Sequence, residues 1–217
     1  TVLQYRWSLP LPPVLLISFS MQNFIAQGRV VNVSSNSRAL KHLFTKIRDA
    51  KTPRVEFCTY ANRLMTIISE EGLSYVNPQQ VQVVTPTGSV FEGEAIDTES
   101  IVAVSIIRAG DSLLDCFTKI APAAQIGKIL IQRDEETRLP VLFYSKLPPL
   151  ASKTVVLLDP MLATGGSAKA AIQVALDNGA KEENIIMFCV VCSPEGISCL
   201  MDAFPALRIV TGEIDAG

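Results

Sequence analysis

The 217-residue chain has a hydrophobic content of 48%, a charged content of 18% and a formal net charge of −2. These values predict a folded domain, because disordered chains combine few apolar residues with a high net charge. Together with a pI of about 5.5, the charge excludes a broad basic surface for nucleic acid or for an anionic membrane. A local basic pocket for a small anionic ligand is compatible with it.

Residues 1–31 are predicted to be a leader that precedes the folded domain. The apolar run Leu9–Phe19 contains three prolines and is too short to span a bilayer. Its length suits the apolar region of a signal peptide, but no small-residue cleavage site clearly follows it. We favour a poorly ordered or cloning-derived leader, with Met21 as a candidate natural start.

The five cysteines form no even, regularly spaced framework, which predicts a reducing, cytoplasmic compartment. Two of them, Cys189 and Cys192, have CxxC spacing in an apolar run that predicts a strand. Positions three apart on a strand point to opposite faces of the sheet. We therefore interpret this pair as small core residues rather than as a metal or redox site.

The domain is predicted to span residues 32–217, and its first half begins with helices. Apolar residues recur at helical spacing from Leu40 to Ile47 and again from Phe57 to Ile68. The stretch Val81–Ile96 then alternates loosely and turns at Thr85–Gly88 (TPTG). This pattern predicts a β-hairpin.

From Ile101 onward, short apolar runs alternate with helical patterns. Continuous apolar strands separated by helices predict an α/β fold, with a twisted, mostly parallel sheet flanked by helices on both faces. The runs are Ile101–Ile107, Ile126–Gln132, Val155–Leu158 and Ile185–Val191.

Two helices and one hairpin complete the predicted second half. The pattern Ser167–Asn178 predicts an amphipathic helix that stops at Gly179. A further helix is predicted to begin after Ser193, with this serine as the N-cap. The segment Arg133–Leu147 is polar and then partly alternating, which predicts a protruding β-hairpin flap.

The junction from Asp159 to Ser167 (DPMLATGGS) lies between a predicted buried strand and a predicted helix, where parallel sheets bind ligands. Thr164 and Ser167 offer hydroxyl groups, and Gly165–Gly166 allow the backbone to close around an anion. The following helix directs its N-terminal amides to the same place, which predicts a phosphate cradle. Asp159 can accept hydrogen bonds from ribose hydroxyls, which favours a sugar phosphate. The alternative is an ordinary capped connection between strand and helix.

Strand, acidic residue, TGG and helix together resemble the donor motif of type I phosphoribosyltransferases. The wording LLDPMLATGGSA is similar to the uracil-specific branch of that family. Further segments that are similar to the uracil branch are His42–Asp49 (HLFTKIRD), Ile107–Gly110 (IRAG), Arg133–Thr137 (RDEET), Cys192–Gly196 (CSPEG) and Ile214–Asp215 (ID).

The resemblance implies an enzyme of pyrimidine salvage that forms UMP and diphosphate from uracil and phosphoribosyl diphosphate. It implies that Arg108 and Arg133 contact the diphosphate, and that Asp159 and Arg133 are the catalytic residues. It also implies a homodimer or larger homo-oligomer, and Mg²⁺ carried by the donor rather than by protein ligands. The residues expected to hold the ribose and its 5′-phosphate are Asp159, Pro160, Met161, Leu162, Ala163, Thr164, Gly165, Gly166 and Ser167.

The carboxyl end departs from the family pattern. In the family the chain continues past the ID segment into a glycine-rich segment whose backbone recognises uracil, whereas this chain stops at Gly217. The base-binding residues are therefore expected beyond Gly217, and the domain is predicted to be truncated. The alternative is a catalytically silent, donor- or nucleotide-binding regulatory homologue. A third hypothesis, transfer to another base, is disfavoured by the RDEET and DPMLATGGSA segments.

Overall fold

The computed structural model describes residues 22–134 and 140–215, apart from the side chains of Asn36 and Arg133. Residues 1–21 of the predicted leader, the tip of the predicted flap with Glu135 and Glu136, and Gly217 lie outside the described residues. Within the predicted leader, residues 22–26 are helical and Val30–Asn32 forms a strand. The predicted boundary between leader and domain therefore falls inside that strand.

The secondary structure alternates between strands and helices from residue 101 onward, as the apolar runs predict. The strands are β1 (Val30–Asn32), β2 (Gln79–Val84), β3 (Val90–Ala95), β4 (Ile101–Ile107), β5 (Gln125–Arg133), β6 (Pro140–Lys146), β7 (Thr154–Leu158), β8 (Met161–Leu162), β9 (Ile185–Cys192) and β10 (Arg208–Ile214). The helices are α1 (Arg38–Arg48), α2 (Arg54–Leu73), α3 (Gly110–Ile120), α4 (Gly166–Asp177) and α5 (Pro194–Ala203).

The helix boundaries follow from local capping. Helix α1 begins after Ser37, whose hydroxyl accepts a hydrogen bond from the N–H of Leu40. Helix α5 begins after Ser193 with a proline in its first turn, which confirms the predicted N-cap. In the described part of the chain, no helix combines the length and the apolar character needed to cross a membrane.

The main sheet has the strand order β1-β10-β9-β7-β4-β5-β6, with β8 paired to β9. Neighbouring strands in it are parallel except for β5 and β6, which form an antiparallel hairpin. This confirms the predicted fold class. The predicted flap is built onto the sheet, because β6 is its edge strand and is exposed along its length. Strands β2 and β3 form the separate hairpin that the alternation between Val81 and Ile96 predicts.

Two apolar cores cover the two faces of the sheet, because successive side chains of a buried strand point to opposite sides. Val155 and Leu157 of β7 lie in the α4–α5 core, whereas Val156 and Leu158 lie in the α1–α3 core. The α4–α5 core includes Ala168, Ala171, Ile172, Ile197 and Leu200. The α1–α3 core includes Leu40, Leu64, Ile68, Leu113 and Phe117.

The prediction that Cys189 and Cys192 point to opposite faces of β9 is wrong. The alternation breaks because Val190 and Val191 both pack against the α1–α3 core, and both of their N–H groups donate to the carbonyl of Pro160. Cys192 therefore returns to the face of Cys189. Both residues are fully buried in the α4–α5 core, where burial and, to a lesser extent, a hydrogen bond between the two thiols raise the pKa of Cys189.

Candidate functional site

Three neighbouring strands of the sheet end at the residues that the sequence singled out. Strands β7, β4 and β5 are adjacent and parallel. Asp159 directly follows β7, Arg108 directly follows β4, and Arg133 is the last residue of β5. The carboxyl ends of parallel strands lie together, so the structure brings these three positions to the same end of the sheet. The side chain of Arg133 lies outside the described residues.

The junction after β7 forms a small cavity of about 80 Å³. Its lining runs along the chain from Asp159 through the loop into the first turn of α4. Pro160 does not line the cavity, and its carbonyl instead anchors the loop to β9 by accepting two N–H groups, at 2.9 and 3.0 Å. The lining residues are Asp159, Met161, Leu162, Ala163, Thr164, Gly165, Gly166, Ser167 and Ala168.

Helix α4 begins in a geometry that leaves its N–H groups available to a ligand. Gly165 is the N-cap, and no side chain caps the helix. The first backbone hydrogen bond along the helix runs from the N–H of Lys169 to the carbonyl of Gly165, at 2.8 Å. The N–H groups of residues 166–168 therefore lack helical acceptors and lie at the positive end of the helix dipole. A phosphate is the kind of ligand that such a helix end binds.

Gly165 is the residue that shapes the turn. Its φ of +82° lies in the left-handed region, which other residues rarely adopt. A β-carbon on Gly165 would lie 3.1 Å from both the Cβ and the Sγ of Cys199, and 3.2 Å from the carbonyl oxygen of Gly196. The loop therefore packs closely against α5, and any side chain at this position would push the two apart.

Ser193 and the first turn of α5 fix the cradle, which is the loop from Asp159 to Ser167, by contacts with Leu162 and Ala163. The Ser193 hydroxyl donates to the carbonyl of Ala163 at 2.5 Å, and the Ser193 N–H donates to the carbonyl of Leu162 at 2.8 Å. A β-carbon on Gly196 would lie only 2.4 Å from the Ala163 carbonyl oxygen. The CSPEG segment carried no predicted role at this site. A glycine in the first turn of a helix is the signal that could have indicated the close contact.

The carboxyl group of Asp159 has an unusual environment for an acid. Burial raises the pKa of Asp159 to about 6, and a hydrogen bond from the Met161 N–H, 3.4 Å from Oδ1, lowers it only in part. At neutral pH the carboxyl group is therefore mostly ionised, but few hydrogen-bond donors of the protein stabilise its negative charge. Hydroxyl donors from a bound ribose would supply that compensation.

This environment predicts a pH-dependent stability. Between about pH 4 and pH 6, Asp159 is ionised in the unfolded chain but still protonated in the folded protein. The contribution of Asp159 to the free energy of unfolding therefore falls as the pH rises through that window, by up to about 3 kcal/mol. Because asparagine cannot ionise, we expect Asp159→Asn to exceed the parent chain in stability by up to this amount at neutral pH, and to match it near about pH 4.

Urea denaturation of both proteins across this pH range measures the difference. Asp177→Asn is the matched control, because Asp177 is an exposed carboxylate at the far end of α4 and its removal should leave the pH profile of the parent. A stability difference between parent and Asp159→Asn that stayed constant from acid to neutral pH would contradict the prediction.

Arg108 lies in a second, larger cavity beside the cradle. The cavity has a volume of about 570 Å³ and lies between the β4–α3 turn and the end of β5. Arg108 is exposed, follows a cis peptide bond, and has no ion-pair partner among residues 22–134 and 140–215. Its guanidinium group is therefore available to a ligand with paired anionic oxygens. The lining residues are Ile107, Arg108, Ala109, Leu130, Ile131 and Gln132.

Comparison with known proteins identifies relatives whose sequences are similar to that of this chain. The family model described as "Uracil phosphoribosyltransferase" matches residues 33–217. The uracil phosphoribosyltransferase of Dictyostelium discoideum is 46% identical over 188 residues, which cover 86% of this chain and 86% of that protein. Uracil phosphoribosyltransferase 1 of Schizosaccharomyces pombe is 48% identical over 188 residues, covering 86% of this chain and 85% of that protein.

A solved structure agrees with the architecture. The AQ2163 protein from Aquifex aeolicus superposes with a TM-score of 0.72 at 30% sequence identity, and the alignment covers 86% of this chain and 87% of that one. Together with the sequence relatives, this match confirms the resemblance that the IRAG, RDEET and DPMLATGGS segments indicated. The similarity includes the cradle and both walls of the larger cavity, since it extends from Val33 onward.

Proposed function

We propose that this chain, which belongs to the uracil phosphoribosyltransferase family, forms UMP and diphosphate from uracil and phosphoribosyl diphosphate. It is a pentosyltransferase, and its reaction is a salvage step because it rebuilds a nucleotide from a free base. Identities of 46% and 48% over 86% of the chain support the assignment. None of these relatives favours a silent regulatory homologue.

The observation that carries the proposal is the cradle between β7 and α4. It combines free N–H groups at a helix N-terminus, a left-handed glycine turn and one half-buried carboxylate within a cavity of about 80 Å³. The N–H groups suit the 5′-phosphate of the donor, and the Asp159 carboxylate suits the ribose hydroxyls. The larger cavity with Arg108 then binds the diphosphate and leaves room for the incoming base.

The chemistry requires charge stabilisation more than proton transfer. The bond between ribose C1 and the diphosphate oxygen breaks, its electron pair leaves with diphosphate, and C1 bonds to N1 of uracil, which loses its proton. Positive charge develops on the ribose and negative charge on the leaving group. The Asp159 carboxylate stabilises the positive charge on the ribose. Arg108 and Arg133 stabilise the negative charge on the diphosphate, since a guanidinium group binds paired phosphate oxygens.

Magnesium would reach this site on the donor. In the described ranges, 22–134 and 140–215, no group of three carboxylate, imidazole or thiol side chains is placed to hold a metal ion. Asp159 is a single carboxylate, which suits a hydrated ion held chiefly by phosphate oxygens. When bound, the ion neutralises part of the diphosphate charge, and the protein's part is to position the donor that carries it.

The proposal extends to a cytoplasmic homodimer or larger homo-oligomer. The five cysteines are free, which supports a reducing compartment. Exposed apolar side chains on the two hairpins support an interface between copies, because such patches are usually covered. They are Val83, Val84, Val90, Phe91, Val141, Leu142, Phe143 and Tyr144.

Uracil-dependent release of diphosphate tests the proposal. We expect release with uracil and phosphoribosyl diphosphate in the presence of Mg²⁺, and little release when cytosine, hypoxanthine or orotate replaces uracil. Calorimetric titration with phosphoribosyl diphosphate alone separates a defect in base recognition from a defect in the donor site. Release with another base but not with uracil would overturn the assignment of the acceptor. Absence of both donor binding and diphosphate release would overturn the function.

A further inference from the structure

An ion pair beside the larger cavity takes no part in the chemistry described above. Asp111 lies in the first turn of α3, and Lys128 lies on β5 with its Nζ 3.0 and 3.1 Å from the two carboxylate oxygens. Ser105 of β4 is fully buried and donates its hydroxyl to Asp111 Oδ1 at 2.7 Å. One carboxylate therefore joins the start of α3 to two neighbouring strands.

The pair connects the two walls of the cavity that contains Arg108. On one side, the backbone N–H of Asp111 donates to the carbonyl of Arg108 at 3.2 Å, so the carboxylate is fixed to the turn that carries the guanidinium group. On the other side, Lys128 precedes Leu130 by two positions and shares its face of β5. Leu130 lines the opposite wall. The ion pair therefore links the turn that carries Arg108 to the strand that carries the opposite wall.

We propose that the Asp111–Lys128 pair is a positioning brace that holds the Arg108 turn at the spacing required by the diphosphate of the donor. The proposal rests on the proposed function, since its ligand is phosphoribosyl diphosphate. The side chains of Lys128 and Asp111 are 42% and 40% exposed. Exposed pairs of this kind add little to folding stability, so the main consequence of the pair is the position of the turn.

The environment of Asp111 favours its ionised form. Burial raises the pKa of Asp111, but hydrogen bonds from Ser105 and Lys128 and the charge of Lys128 outweigh it, so the pKa lies below its usual value. Gly110, which joins the Arg108 turn to α3, lies close to the end of β7 and has no room for a side chain. A β-carbon on Gly110 would lie 2.3 Å from the Leu158 carbonyl oxygen and 2.9 Å from Ser105 Oγ.

A brace and a simple charge effect predict changes of different sign in the donor affinity of the Asp111→Asn variant. If the two charges act only through their fields, Asp111→Asn removes a negative charge near an anionic ligand and should tighten donor binding. Lys128→Met removes a positive charge and should weaken donor binding. If the pair acts by positioning, both substitutions release the same turn and both weaken binding. Asparagine retains an oxygen that can accept from Ser105, so the buried hydroxyl keeps an acceptor in this test.

Calorimetric titration with phosphoribosyl diphosphate and Mg²⁺ decides between them. We expect each single variant to raise the dissociation constant of the donor by about three- to tenfold. The double variant should bind the donor no more weakly than either single variant. Lys128→Arg should keep the donor affinity of the parent, because arginine retains the positive charge. We also expect Tm to fall by no more than about 4 °C. In the uracil-dependent assay, KM for the donor should rise while kcat stays within about twofold.

Lys146→Met is the matched control, because Lys146 lies opposite Lys128 on β6, is exposed, and forms no ion pair with any residue in the ranges 22–134 and 140–215. Donor affinity should be unchanged in this variant. Opposite-signed changes in the two single variants, an equal loss in Lys146→Met, or unchanged affinity in both would overturn the brace. A parent chain that binds no donor would overturn the proposed function and the brace together. A parent that binds the donor, with variants of equal affinity, would overturn the brace alone.

Discussion

Replacing Asp159 with asparagine is expected to lower kcat/KM for phosphoribosyl diphosphate by about 100- to 1,000-fold. Loss of one preorganised group that stabilises transition-state charge typically costs this much. The carboxylate lies at the end of β7, at the edge of the cradle, with little compensation from the protein. The amide keeps the size of the side chain but removes the charge that faces the ribose. Initial rates of diphosphate release with varied donor measure the loss.

The control for Asp159 distinguishes lost chemistry from lost structure. Asp177→Asn removes an exposed carboxylate from the far end of α4, the helix that follows the cradle, and its kcat/KM should equal that of the parent. Asp159→Asn should at the same time be more stable than the parent at neutral pH, because the buried charge is gone. A variant that is both stable and slow has lost a functional group. Full activity of Asp159→Asn would show that the carboxylate does not act on the ribose.

Replacing Gly165 with alanine is expected to weaken donor binding by at least about tenfold and to lower the free energy of unfolding by about 2 kcal/mol. The left-handed backbone accounts for about half of the stability loss. The rest comes from the contacts of the new methyl group with Cys199 and Gly196, which must move by a few tenths of an ångström. Because these residues hold the cradle, its N–H groups move with them. Calorimetry with the donor and urea denaturation measure the two effects.

Gly179→Ala separates backbone strain from displacement of the cradle. Gly179 has a φ of +92°, similar to that of Gly165, but a β-carbon there would have nothing within 4 Å. We expect a stability loss of about 1 kcal/mol and unchanged donor affinity. If Gly165→Ala behaved in the same way as Gly179→Ala, the packing of the cradle against α5 would have no role in binding.

The parts of the site that depend on local order along the chain could be predicted from the sequence. A buried strand, an acidic residue, a glycine pair and an amphipathic helix follow one another between Val155 and Asn178, and the structure has them in that order. The convergence of Asp159, Arg108 and Arg133 at one edge follows from the parallel sheet, whose strands show as continuous apolar runs.

The parts that depend on distant pairing could not be predicted in this way. Asp111 meets Lys128 only because β4 and β5 are neighbours in a particular register, with Ser105 opposite Lys128. The contact of Gly165 with Cys199 joins positions 34 residues apart through the packing of α5 on the loop. The paired thiols on β9 were misjudged because a strict two-residue period does not foresee a strand whose alternation breaks.

A crystal structure of the chain with phosphoribosyl diphosphate and Mg²⁺ tests the central claim most directly. We predict that the 5′-phosphate lies within about 3 Å of the backbone nitrogens of residues 166–168, with the ribose hydroxyls on the Asp159 carboxylate and the diphosphate beside Arg108. A donor whose phosphate lies outside the cavity between Asp159 and α4, or whose ribose does not contact Asp159, would contradict the account.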